Sequence, residues 1–177
     1  MLEKMSKILY TLLTLPIPTV ALMNGTAIGG GCELAISCDF RLAKSGIKAG
    51  FVQGQQAITT GWGGGTILTE KFNSPNALKL LLDAKVKSSE YLKEIGIIDA
   101  LYECSPLKAC KDFLENIFVM ESQVLKAYKK MWIRRWEISK LRERMEEEIQ
   151  VCSVLWEGNA HHKYVQAFIN KKNRHKD

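Results

Sequence analysis

Histidine is scarce in this chain. The three that occur, His161, His162 and His175, all lie near the C-terminus. A Ser-His-Asp or Cys-His site would have to draw on one of them, and nothing beside them supports it. Neighbouring side chains on a helix point about 100° apart, so His161 and His162 do not converge on a metal as residues four apart would. C-x-x-C pairs are missing too. The five cysteines, Cys32, Cys38, Cys104, Cys110 and Cys152, leave one unpaired in any disulfide scheme and match neither a zinc site nor a thioredoxin-like motif. That usage suits a reducing compartment, and the cytosol is the expectation. The most apolar stretch, residues 8–23, is interrupted by Pro16 and Pro18, so it cannot form one spanning helix, and no membrane association is expected. The start, Met1-Leu2-Glu3-Lys4, lacks a basic segment followed by an apolar one, and no secretory leader is expected. Neither internal repeats nor long low-complexity segments occur.

What is present is ordinary globular material. The 177 residues suit one domain with an appended helical part, and 46% hydrophobic with 25% charged residues excludes disorder as the main state. Charge is uneven. Residues 1–103 carry 10 basic and 9 acidic side chains, whereas residues 104–177 carry 15 and 10. The basic character therefore belongs to the C-terminal part. Arg134, Arg135, Lys140, Arg142 and Arg144 lie near Trp132 and Trp136, but Glu137, Glu143, Glu146, Glu147 and Glu148 interleave with them. That mixture predicts a solvated helix with i,i+4 pairs, and nucleic acid is not the expected partner.

Apolar spacing predicts an opening amphipathic helix through Leu2, Met5, Leu9 and Leu13, ended by Pro16. A buried strand over 19–23 follows, closed by an Asn24-Gly25 turn. Further strands are expected at 40–43, 48–52 and 97–101, and a polar, glycine-rich loop at 53–66. Ser74 reads as an N-cap with Pro75 opening a helix over 76–82. Ser88 or Ser89 opens another helix, which Gly96 closes. From Pro106 the pattern is helical: a helix over 107–120, a charged stretch through Glu148, and a last helix after Gly158. The alternation predicts an α/β fold with a helical C-terminal part.

The chemistry-bearing segment is Ala27-Ile28-Gly29-Gly30-Gly31-Cys32-Glu33, three glycines leading into a helix. Glycines admit close approach to the backbone, and the first helical turn leaves N–H groups unpaired at the positive end of the dipole. Such a place suits a phosphate or an oxygen that becomes anionic. The phosphate reading lacks its motif, since neither G-x-x-x-x-G-K-[ST] nor G-x-G-x-x-G is present. A glycine turn needed only for packing is the alternative. Glu33, in the first turn, is either a dipole-favoured carboxylate or a general acid/base beside a reaction centre. Cys32 is either a reactive thiol or a packing residue.

Residues 18–41, from Pro18-Thr19-Val20-Ala21-Leu22-Met23-Asn24-Gly25 through Gly29-Gly30-Gly31-Cys32-Glu33-Leu34-Ala35 to Cys38-Asp39-Phe40-Arg41, resemble the signature of the enoyl-CoA hydratase/isomerase (crotonase) superfamily. The likeness continues through Trp62-Gly63-Gly64, residues 77–82 and 88–99. Within the superfamily, Cys38-Asp39-Phe40-Arg41-Leu42, the Trp62 form of the glycine loop and Leu155-Trp156-Glu157-Gly158-Asn159-Ala160 are most similar to the ethylmalonyl-CoA decarboxylase group.

The resemblance implies a crotonase-like spiral of strand-strand-helix units, here expected to lack its N-terminal strands. Residues 1–103 would form the partial α/β core, and residues 104–177 a helical oligomerisation region with a basic tail. It implies that the Gly30 N–H is one of two oxyanion donors for an acyl-CoA thioester, with Ala27, Ile28, Gly29, Gly61 and Trp62 lining the substrate site. Trp62 either walls the acyl pocket or packs the core. Glu33 matches the first catalytic carboxylate, while the second falls at Gln53. A hydratase needs both acids, so a decarboxylase acting on ethylmalonyl-CoA or methylmalonyl-CoA is the implied activity, with hydratase/isomerase chemistry or an inactive, oligomerising fragment as alternatives. No cofactor or metal is implied, because coenzyme A is part of the substrate. A homo-trimer or hexamer is expected where the missing strands are supplied. Those strands would carry the second donor, so this chain is expected to be weakly active or inactive unless they are supplied.

Overall fold

The computed structural model describes residues 1–72, 75–103, 105–115, 117 and 119–173. The chain opens with α1 (Leu2–Leu13), whose Leu9 and Leu13 are fully buried. After Pro16 and Pro18 come β1 (Val20–Met23), β2 (Ala27–Ile28), α2 (Gly30–Ser37), β3 (Phe40–Lys44) and β4 (Lys48–Gly50). A 3₁₀ turn at Gln53–Gln56 leads to α3 (Gly64–Lys71) and α4 (Pro75–Asp83). The short β5 (Lys87–Ser88), α5 (Ser89–Glu94) and β6 (Ala100–Tyr102) complete the mixed part. Four helices follow: α6 (Pro106–Leu114), α7 (Ser122–Ile138), α8 (Leu141–Trp156) and α9 (Asn159–Asn173).

Two three-stranded sheets result, ordered β1-β3-β6 and β2-β4-β5. The first is parallel throughout, with Val20 opposite Phe40 and Leu42 opposite Ala100. In the second, β2 and β4 are parallel while β4 and β5 are antiparallel. Parallel neighbours require crossovers, which α2 and α5 supply. The main core joins Leu9 and Leu13 of α1, Ile36 of α2, Ile67 and Leu68 of α3, Leu80 of α4 and Ile98. Trp136, Leu141 and Met145 from α7 and α8 enter the same cluster. The α/β class and the helical C-terminal part are as the sequence predicts.

The differences are local. The strand expected over 48–52 stops at Gly50, and the expected loop 53–66 contains a 3₁₀ turn and the first turn of α3. Thr19 lies outside β1, since its N–H and hydroxyl both serve Asp39 Oδ2, at 2.8 and 3.0 Å. The strand expected over 97–101 is β6, three residues later than its predicted start, because Ile97 and Ile98 are consumed by the turn after α5, their N–H groups bonding Leu92 O. Ser88 caps α5 by accepting from the Tyr91 N–H, and Gly96 stands at φ +79°, as a helix-ending glycine should. The helix expected over 107–120 ends at Leu114. The charged stretch is helical as expected, but it is divided between α7 and α8 at Lys140, whose φ is +52°. The strands β2 and β5, two residues each, carry no periodic signal. The N-cap expectation at Ser74 and the end of the basic tail, residues 174–177, lie outside the described residues.

A buried ionic cluster fastens α7 to the mixed part. Lys129, only 5% exposed, bonds Asp39, and Lys71 donates to the carbonyls of Ile36 and Cys38 at the end of α2. Arg41 bonds Asp99 Oδ2 at 2.7 Å and Ile97 O at 2.6 Å, tying β3 to the turn before β6. Both lysines face the Trp136 ring. Burial, aided by the charges of Arg41 and Lys129 and opposed by Asp39, lowers the Lys71 ammonium from its ordinary 10.5 to about 7. The folded chain then binds fewer protons than the unfolded one between those values, so stability rises with pH across that window. Chemical denaturation from pH 7 to 10 should show this rise in the wild-type chain and a flatter dependence in Lys71→Met. Equal slopes would count against the assignment.

Candidate active site

The site grows from the junction of β2 and α2. Gly29, at φ +59° and ψ −116°, occupies a conformation open to glycine, and its N–H bonds Gly50 O at 2.9 Å. Its own carbonyl accepts from Cys32 and Glu33 at 2.9 and 3.1 Å, which starts α2. Helical geometry leaves the N–H groups of Gly30 and Gly31 without an acceptor inside the helix. Ala27 and Ile28 form the strand leading in, and Ile28 stays 46% exposed. The six-membered ring of Trp62 lies directly on Gly30, where a Cβ would stand 2.3 Å from Cη2. Trp62 therefore walls the N-terminus of α2 while it also packs against the core cluster.

Glu33 is 2% exposed. Its Oε2 accepts from the backbone N–H groups of Trp62 and Gly64, at 2.9 and 3.0 Å, and its Oε1 faces Gln53 Nε2 at 2.9 Å. The Gly61 N–H points at Oε1 from 3.5 Å. Burial pushes the carboxyl above its ordinary range, the Trp62 N–H opposes that, and the nearby Glu148 adds to it. Gln53 is buried, with Oε1 lacking any partner. Of the eight residues expected in the site, Gly29, Gly30, Glu33, Gln53, Gly61 and Trp62 are thus joined by direct contacts, and Ala27 and Ile28 border them through the backbone.

The sequence reading missed α8. Glu148 accepts from the Thr60 hydroxyl at 2.6 Å, from the Gly65 N–H at 3.3 Å and from the Thr66 N–H at 2.7 Å. Met145 and Cys152 flank it. A Cβ at Gly63 would meet Met145 Cε at 2.5 Å, and one at Gly61 would meet Cys152 Sγ at 3.0 Å. One face of α8 therefore presses on the Trp62 loop, filling space that its glycines leave. The available signal was a carboxylate set among Leu141, Met145, Ile149 and Cys152, the buried stripe of that helix.

Other candidates resolve plainly. The Cys32 thiol is pushed up to about 12, chiefly by burial, and donates to Ala27 O while accepting from the Gly50 N–H. That is a packing residue, since a reactive thiol needs its anion. His161 is buried, with Nδ1 2.7 Å from Gln56 O and its ring beside Trp156. In the basic stretch, Arg144 and Arg135 pair with Glu70, Arg142 with Glu146 and Lys140 with Glu143. No helix among the described residues is long and apolar enough to cross a membrane.

Gly64 offers a direct check of this packing. Its Cβ would stand 2.4 Å from Glu33 Cγ, so Gly64→Ala must displace the carboxylate or the loop. Overpacking of this kind costs about 1–3 kcal/mol, to be measured by denaturant unfolding. A loss below half a kcal/mol would contradict the contact.

Known proteins resemble this chain in fold and sequence. The solved structure of enoyl-CoA hydratase from Bacillus halodurans superimposes with a TM-score of 0.81 at 25% identity, covering 92% of this chain and 65% of that one. Ethylmalonyl-CoA decarboxylase of Danio rerio is 36% identical over 165 residues, which are 90% of this chain and 54% of the relative. The protein of that name from Rattus norvegicus is 35% identical over 176 residues, 97% of this chain and 57% of the relative. The chain thus spans about half the length of these curated relatives. The family description Enoyl-CoA hydratase/isomerase matches residues 1–177, and with the glycine-led α2, its buried glutamate and the shared fold, the chain belongs to the enoyl-CoA hydratase/isomerase family.

Proposed function

We propose that this chain carries part of an acyl-CoA decarboxylase site acting on ethylmalonyl-CoA or methylmalonyl-CoA. The observation that carries the reading is the pairing of Glu33 with a neutral amide, Gln53, one helical turn from the free N–H of Gly30. Water addition across a double bond needs two acids at the reacting carbons. Here the side chain facing Glu33 Oε1 is an amide, and the nearby Glu148 spends both its oxygens on Thr60, Gly65 and Thr66. The names of the similar proteins from Danio rerio and Rattus norvegicus support the same choice.

The chemistry follows from these groups. The Gly30 N–H donates to the thioester oxygen. The bond from the α-carbon to the substrate carboxylate breaks, CO₂ leaves, and the electron pair enters the thioester enolate. The N–H stabilises that oxygen as its charge develops, which is worth about 3–4 kcal/mol per well-placed donor. A proton from Glu33 or water then closes the α-carbon, giving butyryl-CoA from ethylmalonyl-CoA. The Trp62 ring covers Gly30 and narrows access to the N–H.

A second reading has its own observation. β1 and β2 each stand at the edge of a sheet, next to the exposed Ile28 and Leu34, and such edges favour pairing with another chain. On this reading the chain acts by assembling with itself or with a longer relative, as a trimer or hexamer.

Incubating the purified 177-residue chain with ethylmalonyl-CoA and, separately, crotonyl-CoA tests the first reading. Butyryl-CoA should form, and Gly30→Ala, whose Cβ would collide with the Trp62 ring, should lower its rate by about 10² or more. Faster hydration of crotonyl-CoA, or no butyryl-CoA at all, would overturn it.

A further inference from the structure

Two carboxylates share the N-terminus of α3. Glu33 reaches it from α2 and takes the N–H of Gly64, and Glu148 reaches it from α8 and takes those of Gly65 and Thr66. Each is favoured there by the helix dipole, but two anions side by side repel, and one of the pair is the better place for a proton.

The hydrogen bonds distinguish them. Glu148 meets the fixed backbone donors of Gly65 and Thr66 and the Thr60 hydroxyl, whose oxygen also accepts from the Gly65 N–H. A proton on its Oε2 would face the Thr66 N–H, and one on its Oε1 would have to turn the Thr60 hydroxyl round while the Gly65 N–H still points at that oxygen. Glu33 differs at Oε1. Its partner there is the side-chain amide of Gln53, which a half-turn about its last torsion converts from donor to acceptor at the same place. The Gln53 carbonyl oxygen is buried and has no partner as it stands, and the half-turn would bring it to an O–H on Glu33. Glu33 is also nearly fully buried, at 2% exposure, so its charged form bears the larger desolvation cost.

We infer that Glu148 is a positioning residue for the site: held as the anion on α3, it leaves Glu33 as the carboxyl that keeps the proton, with Gln53 as the acceptor of that O–H. The titratable groups beside Glu33 are Glu148 and Cys152 from α8 and Cys32 from its own helix. Burial pushes both thiols upward, so they remain neutral and contribute no negative charge. The upward displacement of the Glu33 carboxyl, to which Glu148 contributes, agrees with this.

The inference rests on the decarboxylase reading only for the use of the proton. A neutral Glu33 does not repel the substrate carboxylate. After CO₂ departs, its O–H supplies the proton that the α-carbon needs, and solvent restores it. Each turnover consumes one proton and releases one CO₂.

The test is a titration of the whole chain without substrate, by carbon NMR with ¹³C at the glutamate side-chain carboxyls. The Glu33 signal is assigned by its loss in Glu33→Gln. The wild-type Glu33 midpoint should lie above the ordinary glutamate range. It should move down in Glu148→Gln, which removes the charge, and stay high in Glu148→Asp, which keeps it. A purely structural Glu148 would lower the melting temperature in both variants and leave the midpoint in place, which overturns the inference. Should Glu148→Gln not fold, the wild-type signals decide. A wild-type Glu33 midpoint within the ordinary glutamate range would overturn the inference. Because no substrate is present, failure of this titration and failure of the butyryl-CoA assay are separate results.

Discussion

The structure depends on how the N-terminus of α3 is satisfied. A helix start buried against other elements leaves several N–H donors that water cannot reach, and each costs about 1–3 kcal/mol if unpaired. Here the N–H groups of Trp62, Gly64, Gly65 and Thr66 are met by carboxylates from two distant parts of the chain, Glu33 on α2 and Glu148 on α8. The same bonds bring α2, α3 and α8 into one unit. The glycines between them have no room for side chains, since that space holds Glu33 at Gly64, Met145 at Gly63 and Thr60 at Gly65.

This clamp connects packing to chemistry. Trp62 lies inside the clamped segment, with its N–H on Glu33 and its ring on Gly30. The Gly30 N–H is therefore framed by a loop whose position is set from α8, a helix far along the chain. The C-terminal helices contribute to the same core as α1 and α2, and the ionic contact of Lys129 with Asp39 adds a second fastening. The N-terminus of α2 is thus framed by Trp62, and the Trp62 loop is held in turn by Glu33 and by Glu148 of α8.

Much of this was legible in the sequence where the signal was local. Three glycines before Glu33 predict a helix N-terminus with free N–H groups, and α2 begins at Gly30. Ser88 and Gly96 predict the limits of α5 because capping and positive φ are properties of single residues. Contacts between remote residues were not legible. Glu148 lies 82 residues from Thr66, within a run of glutamates that reads as solvent-facing. Lys129 looks like part of a charged helix, yet it is buried because Asp39 waits for it. The resemblance puts Gln53 at the second carboxylate's position, but its left-over carbonyl oxygen, unpartnered among the described residues, is a product of packing between remote segments. The two-residue strands β2 and β5 escaped notice because pairing, and not side-chain alternation, defines them.

Amide hydrogen exchange measured residue by residue tests the clamp most directly. If Glu33 and Glu148 hold the start of α3, the N–H groups of Trp62, Gly64, Gly65 and Thr66 exchange only as slowly as core amides such as those of Ile67 and Leu68, through unfolding of the whole unit. Exchange of those four at the rate of an open loop, with Ile67 and Leu68 still protected, would contradict the account.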